Sequence, residues 1–148
     1  MTSATMEVVV RAAERDLCLD VTEHLENAIK DSGVTTGCAV AYCTHTTCGI
    51  IINEWERGVL GDLAARLGRL VPEDEYYAHD DFSIRTQNMH PGERRNGRAH
   101  VAQMLLGATS HAVPVAAGWP LLGMWQRLIF VELDEPRDRS LLFHVFGH

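Results

Sequence analysis

The stretch from Thr44 to Glu54 constrains the fold of this chain more than any other part of the sequence. It reads Thr-His-Thr-Thr-Cys-Gly-Ile-Ile-Ile-Asn-Glu, an apolar, β-branched run with polar groups at both ends. Because β-branched residues favour strands, three consecutive isoleucines predict a strand that is covered on both faces. His45 then precedes this strand, and Asn53 and Glu54 lie at its far end. Taken alone, this stretch is equally well explained as a core strand with polar ends. A second polar cluster further along the chain is what favours a functional site.

The bulk composition predicts one globular domain and argues against two classes of partner. A chain of 148 residues, 46% hydrophobic and 22% charged, can bury a substantial core as a single domain over residues 1–148. A formal net charge of −7 argues against general binding to nucleic acid or anionic membranes, since both need an excess of Lys and Arg. The sequence shows no apolar segment typical of a signal peptide or a membrane span, so we expect a cytoplasmic protein with reduced, buried cysteines.

Periodicity predicts an α+β fold in the order ββαββα-loop-αβββ, with an antiparallel or mixed sheet and helices packed on one side. Two short strands precede a helix over Thr22–Asp31, which is expected to end at Ser32-Gly33. Two strands follow within residues 36–53, and leucines at three- and four-residue spacing predict a helix that ends at Pro72. Residues 73–97 have no sustained period, and a connection this long is usually functional or disordered. The remaining predicted elements are a helix over Arg98–Leu106 that is ended by Gly107, and strands over His111–Ala116, Met124–Leu133 and Leu141–Phe146. The last two strands are predicted to be joined as a hairpin.

Side chains suited to metal binding or proton transfer are scattered over the middle of the chain. No metalloprotease helix, phosphate-binding loop or serine hydrolase motif occurs, so spacing alone is a weak signal. His79-Asp80-Asp81 places an imidazole beside two carboxylates, which suits a divalent cation or a diphosphate held through one. His100 follows Asn96-Gly97 at the start of a predicted helix, where free N–H groups favour an anion. For each histidine alone, a hydrogen-bonded surface or core residue is the alternative.

The C-terminal segment carries a further pattern of glycines and a tryptophan. Gly118 and Gly123 are typical of a tight turn that leads into a strand. Trp125 and Gln126 then point to opposite faces of that strand, so one packs while the other contacts a ligand or a neighbour. A hairpin with one core tryptophan is the alternative interpretation.

With these residues in view, the chain resembles the YjbQ-type secondary thiamine-phosphate synthase family, which has long been catalogued as uncharacterised. The matching motifs occur in family order over nearly the whole chain, and they are specific only as a set. They are Thr44-His45-Thr46-Thr47, Ile52-Asn53-Glu54, Tyr77-x-His79-Asp80-Asp81, Asn96-x-x-x-His100, Leu105-Leu106-Gly107, Ser110-x-x-x-Pro114-Val115, Leu122-Gly123-x-Trp125-Gln126 and Glu132-x-Asp134-x-Pro136-Arg137.

The resemblance implies a compact α+β subunit that assembles as a homotrimer, with a pocket that holds three histidines. It also implies a low thiamine-phosphate synthase activity on small phosphorylated substrates. Carried over position by position, the site candidates are His45, Glu54, His79, Asp81, His100 and Ser110. The expected catalytic residues are His45, His79, His100 and Glu54, and the expected substrate-binding residues are Arg98, Ser110, Asn96 and Gln126. The expected metal ligands are His45, His79, Asp81 and His100. Arg98 stands where many members have a second histidine, which favours a phosphate over a metal at that corner.

Three functions are compatible with these residues. The synthase joins hydroxymethylpyrimidine diphosphate to thiazole phosphate and expels diphosphate, whose growing charge needs stabilisation. For this we expect Mg²⁺ on Asp81 and Glu54, with His45, His79 or Arg98 on the phosphates. The first alternative is a metal-dependent hydrolase or phosphatase of another small phosphorylated metabolite, with Zn²⁺ or Mn²⁺ activating a water. The second is a non-catalytic trimer that binds a phosphorylated ligand without turnover.

Overall fold

A computed structural model of the chain describes residues 1–107 and 109–148, in which eight strands and three α-helices follow one another. The strands are β1 (Thr2–Val10), β2 (Cys18–Asp20), β3 (Thr36–Cys43), β4 (Cys48–Glu54), β5 (Ser110–Ala116), β6 (Trp119–Pro120), β7 (Gln126–Glu132) and β8 (Arg139–Gly147). The helices are α1 (Thr22–Ser32), α2 (Arg57–Leu70) and α3 (Gly97–Leu106), and a 3-10 turn covers Ala78–Asp80. The α+β class is confirmed, and the short strand β6 is an addition to the predicted order.

The strands form two antiparallel sheets rather than one. The larger sheet has the order β1-β8-β3-β5-β6, and the smaller has the order β2-β7-β4. Alternate side chains of β7 point to opposite faces of the smaller sheet and belong to two different hydrophobic clusters. Leu128 and Phe130 face α1 and the larger sheet, whereas Ile129 and Val131 face α2 and α3. All four side chains are fully buried, so the smaller sheet is a middle layer with both faces covered.

The isoleucine run of β4 has the predicted coverage on both faces. Ile50 belongs to the cluster between the two sheets and Ile52 packs against it, while Ile51 packs against the cluster beneath α2 and α3. The position of β4 in this middle layer fixes where its polar ends lie. The loop Thr44–Thr47 is at one end, and Glu54 is at the other. A strand of seven residues separates the two ends by about 20 Å, at about 3.3 Å per residue.

The predicted hairpin between the last two strands is wrong. β7 pairs with β2 and β4, whereas β8 pairs with β1 and β3 in the other sheet. Residues 133–138 carry the chain from one sheet to the other, and a buried ion pair between Glu132 and Arg139 joins the adjacent ends of the two strands. The Asp-Glu-Pro-Arg-Asp sequence specifies a change of direction. It does not specify which sheet the next strand joins.

The helices end and begin at local signals. Gly33 and Gly107 follow α1 and α3 with φ of 71° and 62°, the left-handed conformation that glycine adopts without strain. Both positions were predicted as helix ends from the sequence. Glu56 caps the N-terminus of helix α2, and its carboxylate accepts hydrogen bonds from the N–H groups of Gly58 and Val59. Within residues 1–107 and 109–148, none of these helices has the length and apolar character needed to cross a bilayer.

Candidate functional site

The polar loop between β3 and β4 forms part of a cavity of about 370 Å³, which we call the histidine cavity. Small-molecule sites usually have volumes of about 300–1,000 Å³. Its lining residues are Thr44, His45, Thr46, Thr47, His90, Pro91, Gly92, Glu93, Arg94, Asn96, His100, Arg137 and Arg139. A neighbouring space of about 900 Å³ shares four of these residues, namely Thr46, His90, Glu93 and His100, and adds His79 and Arg85. The two cavities are therefore adjacent, and predicted residues from three parts of the sequence line them.

A hydrogen bond from the backbone determines which ring nitrogen of His45 carries the proton. The Ser140 N–H donates to His45 Nε2 at 2.9 Å. Nε2 therefore carries the lone pair, and the proton of the neutral ring resides on Nδ1. Burial, followed by the positive charge of Arg139, lowers the pKa of His45 below its usual value. His45 thus has an Nδ1–H available as a hydrogen-bond donor to a ligand, and it is not arranged as a general base.

His79 and His100 form a second pair of imidazoles, with ring centroids 4.5 Å apart. Asp80 Oδ1 lies 2.9 Å from His79 Nδ1 and accepts the N–H of Gly97, the first residue of α3, at 2.8 Å. A Cβ on Gly97 would lie 2.7 Å from Tyr77 Cβ, so α3 begins in close contact with the 3-10 turn. This contact brings His100, in the first turn of α3, beside His79. Burial, and then the neighbouring His79, lowers the pKa of His100.

Arg85 shapes the long connection that precedes α3. Its guanidinium donates to the backbone carbonyl oxygens of His79, Gln87 and Asn88 at 3.1, 3.2 and 3.2 Å. It also pairs with the Glu93 carboxylate at 3.0 Å. Four contacts from one side chain give this connection a defined path, although it contains little regular secondary structure.

Arg137 and Arg94 are the cavity cations best placed to respond to an anion. Arg137 contacts Asp134, which also accepts from Asn96 Nδ2 at 2.8 Å. Among the residues that the structure describes, Arg137 Nε is the one buried side-chain nitrogen or oxygen atom without a hydrogen-bond partner. A buried donor without a partner is unfavourable in free energy. If the Arg137 side chain shifts toward a bound anion, its Nε–H gains a hydrogen bond. Arg94 pairs with Glu135 at the surface, at 2.6 Å, a kind of contact that contributes little to stability and is easily exchanged.

Among the predicted site residues that lie away from the histidine cavity are Glu54, Gln126 and Ser110. Glu54 ends β4 directly opposite Gln126 of β7, about 20 Å along the strand from the Thr44–Thr47 loop. Glu54 contributes instead to a separate, more apolar cavity of about 490 Å³ beside α2. Ser110 begins β5 opposite Tyr42, and both residues are exposed on the outer face of the larger sheet. We therefore do not include these three residues in the proposed site.

Arg98 is buried in the fold and is occupied by protein partners. Its side chain donates to the two carboxylate oxygens of Asp16 at 3.0 and 2.7 Å, and its Nε donates to the Val71 carbonyl oxygen at 3.0 Å. These bonds tie α3 to the end of α2 and to the turn before β2. The phosphate contact expected of Arg98 from the sequence is therefore not part of the site that we propose.

The predicted metal ligands do not converge on one point. His79 and His100 are adjacent, but the Asp81 carboxylate accepts from the Tyr76 hydroxyl at 2.9 Å and from the Ser83 N–H at 3.1 Å. Throughout residues 1–107 and 109–148, no group of three or more His, Cys, Asp or Glu side chains is arranged to hold a metal ion. This donor geometry does not fit a resident divalent cation, and we derive no catalytic step through one.

Several cavity residues were absent from the predicted site. His90 lies in the run His-Pro-Gly-Glu-Arg-Arg inside the aperiodic segment, and Arg137 belongs to the last of the family motifs, so both had a sequence signal. Arg139 had none. It is the first residue of a strand, and its partner Glu132 belongs to a strand of the other sheet.

A family model described as UPF0047 protein YjbQ-like matches residues 6–148 of this chain. The chain belongs to the YjbQ-like UPF0047 family. A UPF0047 protein of Archaeoglobus fulgidus is 35% identical over 137 residues, which cover 93% of this chain and 97% of that protein. The UPF0047 protein YugU of Bacillus subtilis is 32% identical over 140 residues, which cover 93% of this chain and 96% of that protein. Membership of the YjbQ-like family, which the motifs predicted, is thus confirmed.

Solved structures share the whole fold. A YbjQ-like protein of unknown function from Sulfolobus solfataricus P2 has a TM-score of 0.84 and 26% identity, over 99% of this chain and 98% of that chain. A hypothetical protein from Aeropyrum pernix K1 has a TM-score of 0.83 and 29% identity, over 98% of this chain and 99% of that chain. The names of these relatives specify no reaction, so the chemistry has to be argued from the cavity.

Lowering the pH is expected to destabilise the folded protein through His45 and His100. The pKa of each is lowered in the folded state, mainly by burial, whereas in the unfolded chain each titrates at its usual value near 6.5. Between the folded and unfolded pKa values the unfolded state binds more protons, so the free energy of unfolding falls as the pH falls from about 7.5 to about 5.5. Urea unfolding at both pH values checks this in the wild type and in His45→Asn with His100→Gln. The double variant should lose less stability than the wild type over that interval, and an equal loss would contradict the assignment.

Proposed function

We propose that the histidine cavity binds small phosphorylated metabolites and that the protein is a low-activity thiamine-phosphate synthase. The observation that supports this proposal is the set of hydrogen-bond donors, suited to an anion, that line the histidine cavity. Arg94, Arg137, the hydroxyl groups of the Thr44–Thr47 loop and the His45 Nδ1–H all belong to the lining or to side chains in it. Charged and neutral N–H and O–H donors of this kind bind phosphate oxygens. The adjacent larger space, which shares His100 with the histidine cavity, gives room for a second substrate.

The reaction requires stabilisation of a leaving group more than proton transfer. The thiazole nitrogen attacks the methylene carbon of the pyrimidine diphosphate with its lone pair. The C–N bond forms, the C–O bond breaks, and diphosphate departs with the bonding electrons. The nitrogen carries no proton, so no general base is needed. Donors aimed at the departing oxygens lower the barrier, and His45, neutral and protonated on Nδ1, is suited to this task together with Arg94 and Arg137.

Purified protein is expected to form thiamine phosphate from the pyrimidine diphosphate and thiazole phosphate, and His100→Ala is expected to reduce the rate about 100-fold. His100 lines both volumes, so its removal disturbs the boundary between the two proposed substrate positions. The product is measured by chromatography after oxidation to its fluorescent thiochrome. His24→Ala, on α1 and absent from both cavity linings, is the matched control. Each assay is run with Mg²⁺ and with a chelator, because a diphosphate binds Mg²⁺ in solution.

The possible outcomes separate the three functions. An unchanged rate in folded His100→Ala would remove the chemistry from this cavity. If the folded wild type makes no product but thiazole phosphate or diphosphate raises its Tm, the non-catalytic binding protein is favoured. Release of inorganic phosphate from a phosphate monoester, dependent on added Zn²⁺ or Mn²⁺, would favour the hydrolase.

We also propose that the chain forms a homotrimer through the outer face of the larger sheet. Tyr42, Phe146 and Val9 lie on this face with exposed fractions of 45%, 38% and 60%. Their strand neighbours Ala41 and Val145 point into the core, so the alternation of β3 and β8 leaves apolar side chains on both faces. Exposed apolar side chains on one face of a sheet are typical of an interaction surface. Three identical contacts related by a threefold axis close into a ring and cover such a face.

Light scattering is expected to give three times the 16.5 kDa mass of the chain. Tyr42→Arg should produce the monomer, because it places a charge in the proposed interface. Leu70→Arg is the matched control, since Leu70 is 71% exposed at the end of α2 and not on this face. A wild-type species of 16.5 kDa would refute the trimer.

A further inference from the structure

Cys43 and Cys48 flank the Thr44–Thr47 loop, and their sulfur atoms lie 3.3 Å apart. Cys43 is the last residue of β3 and Cys48 is the first residue of β4. The two thiols therefore meet where the larger and smaller sheets join, at the base of the loop that carries His45. Their exposed fractions are 1% and 0%.

The remaining two cysteines have no comparable neighbour. All four cysteines lie in the described residues and are free thiols. Cys18 belongs to the hydrophobic cluster beneath α2 and α3, whereas Cys43 and Cys48 belong to the cluster between the sheets. Cys38 is five residues before Cys43 on the same strand, so its side chain points to the opposite face. Cys43 and Cys48 are thus a specific pair.

We propose that Cys43 and Cys48 form a reversible disulfide that locks the Thr44–Thr47 loop and changes ligand binding in the histidine cavity. The sulfur atoms need to approach by about 1.3 Å to reach the disulfide bond length of about 2.05 Å. That approach draws the end of β3 toward the start of β4 and moves the four loop residues between them. Formation of the bond does not depend on the proposed function, but its effect on ligand binding rests on it.

A peroxide is the class of oxidant that this pair would use. Its small size suits thiols that are buried. The Cys43 thiol attacks one peroxide oxygen, so that the O–O bond breaks, Cys43 becomes a sulfenic acid and water leaves. The Cys48 sulfur then attacks the Cys43 sulfur, forms the S–S bond and expels a second water. The thiol pair loses two electrons and two protons. Two molecules of a small thiol restore both cysteines by exchange and leave as their own disulfide.

The test is the oxidation state of one peptide after treatment of the wild type with hydrogen peroxide. The protein is denatured, alkylated with iodoacetamide and cleaved with trypsin, which releases residues 31–57 with Cys38, Cys43 and Cys48. We expect this peptide to carry one alkyl group, on Cys38, and to lack two hydrogen atoms. Prior reduction with dithiothreitol should restore three alkyl groups. Three alkyl groups without reduction, or a disulfide that includes Cys38, would overturn the proposal.

Matched variants identify the pair and separate it from the cavity function. Cys38→Ser should still form the disulfide, and Cys48→Ser should lose it. The effect on the cavity is measured with diphosphate as the probe, by titration of the reduced and the oxidised wild type, and we expect the Kd values to differ at least about threefold. Equal Kd values would overturn the effect on binding. Absence of binding in both forms would overturn the proposed function and the effect that rests on it, while the peptide mass alone decides the disulfide.

Discussion

Arg139→Met is expected to lower the free energy of unfolding by about 3–5 kcal/mol, because it leaves the Glu132 carboxylate buried without its partner. Glu132 is 0% exposed and Arg139 is 2% exposed, and Arg139 Nε donates to Glu132 Oε2 at 2.7 Å. The pair joins the end of β7 to the start of β8 across the two sheets. Guanidinium chloride unfolding, followed by circular dichroism, measures the change.

Two further variants test whether burial of the charge is the cause. Arg139→Met combined with Glu132→Gln should recover part of the lost stability, since the carboxylate charge is then also absent. Arg11→Met removes the cation from an exposed pair with Asp138 and should change the free energy of unfolding by less than about 1 kcal/mol. Equal losses in Arg139→Met and Arg11→Met would contradict the explanation.

Gly147→Ala is expected to destabilise the protein by about 3 kcal/mol or more, through overpacking between two backbones. Gly147 of β8 is the register partner of Gly37 of β3. A Cβ on Gly147 would lie 2.2 Å from the Thr36 carbonyl oxygen and 2.7 Å from Gly37 Cα. Because these contacts are with backbone atoms, no side-chain rotation relieves them. Thermal unfolding followed by circular dichroism measures the effect.

Gly61→Ala makes the same chemical change at a site where the opposite sign is expected. Gly61 lies within α2, is exposed, and a Cβ there would meet no atom within 4 Å. Alanine in an open helical position stabilises by about 0.5–1 kcal/mol relative to glycine. A similar fall in Tm for Gly61→Ala and Gly147→Ala would show that the close approach of β3 and β8 is not the cause.

Local periodicity predicted the elements of the fold because it depends on residues close in sequence. The leucine spacing of α2, the glycines after α1 and α3, and the isoleucine run of β4 each specify one element or one boundary. The arrangement of the two sheets depends on contacts between distant residues. The Glu132–Arg139 pair belongs to strands of different sheets, and no local pattern encodes it. For this reason the turn at residues 134–138 was predicted as a hairpin.

The same distinction explains which site residues were predicted. His45, Asn96 and His100 lie in motifs of polar residues beside regular elements, and the fold brings them to one cavity. Glu54 belongs to the same stretch as His45, but the strand between them holds the two about 20 Å apart. Proximity in sequence was a poor guide there because an extended chain separates residues faster than a helix does.

Because the segment at residues 133–138 crosses between the two sheets, the histidine cavity forms only when the sheets are packed together. Arg139 enters the lining from the larger sheet, Thr47 adjoins the smaller one, and His100 comes from α3. No single sheet supplies enough of the lining to form the cavity alone. A bound ligand therefore stabilises only the fully docked state, and it should slow amide hydrogen exchange in β4 and β8 by the same factor. The stability of the contact between the two sheets therefore rises with the concentration of the ligand.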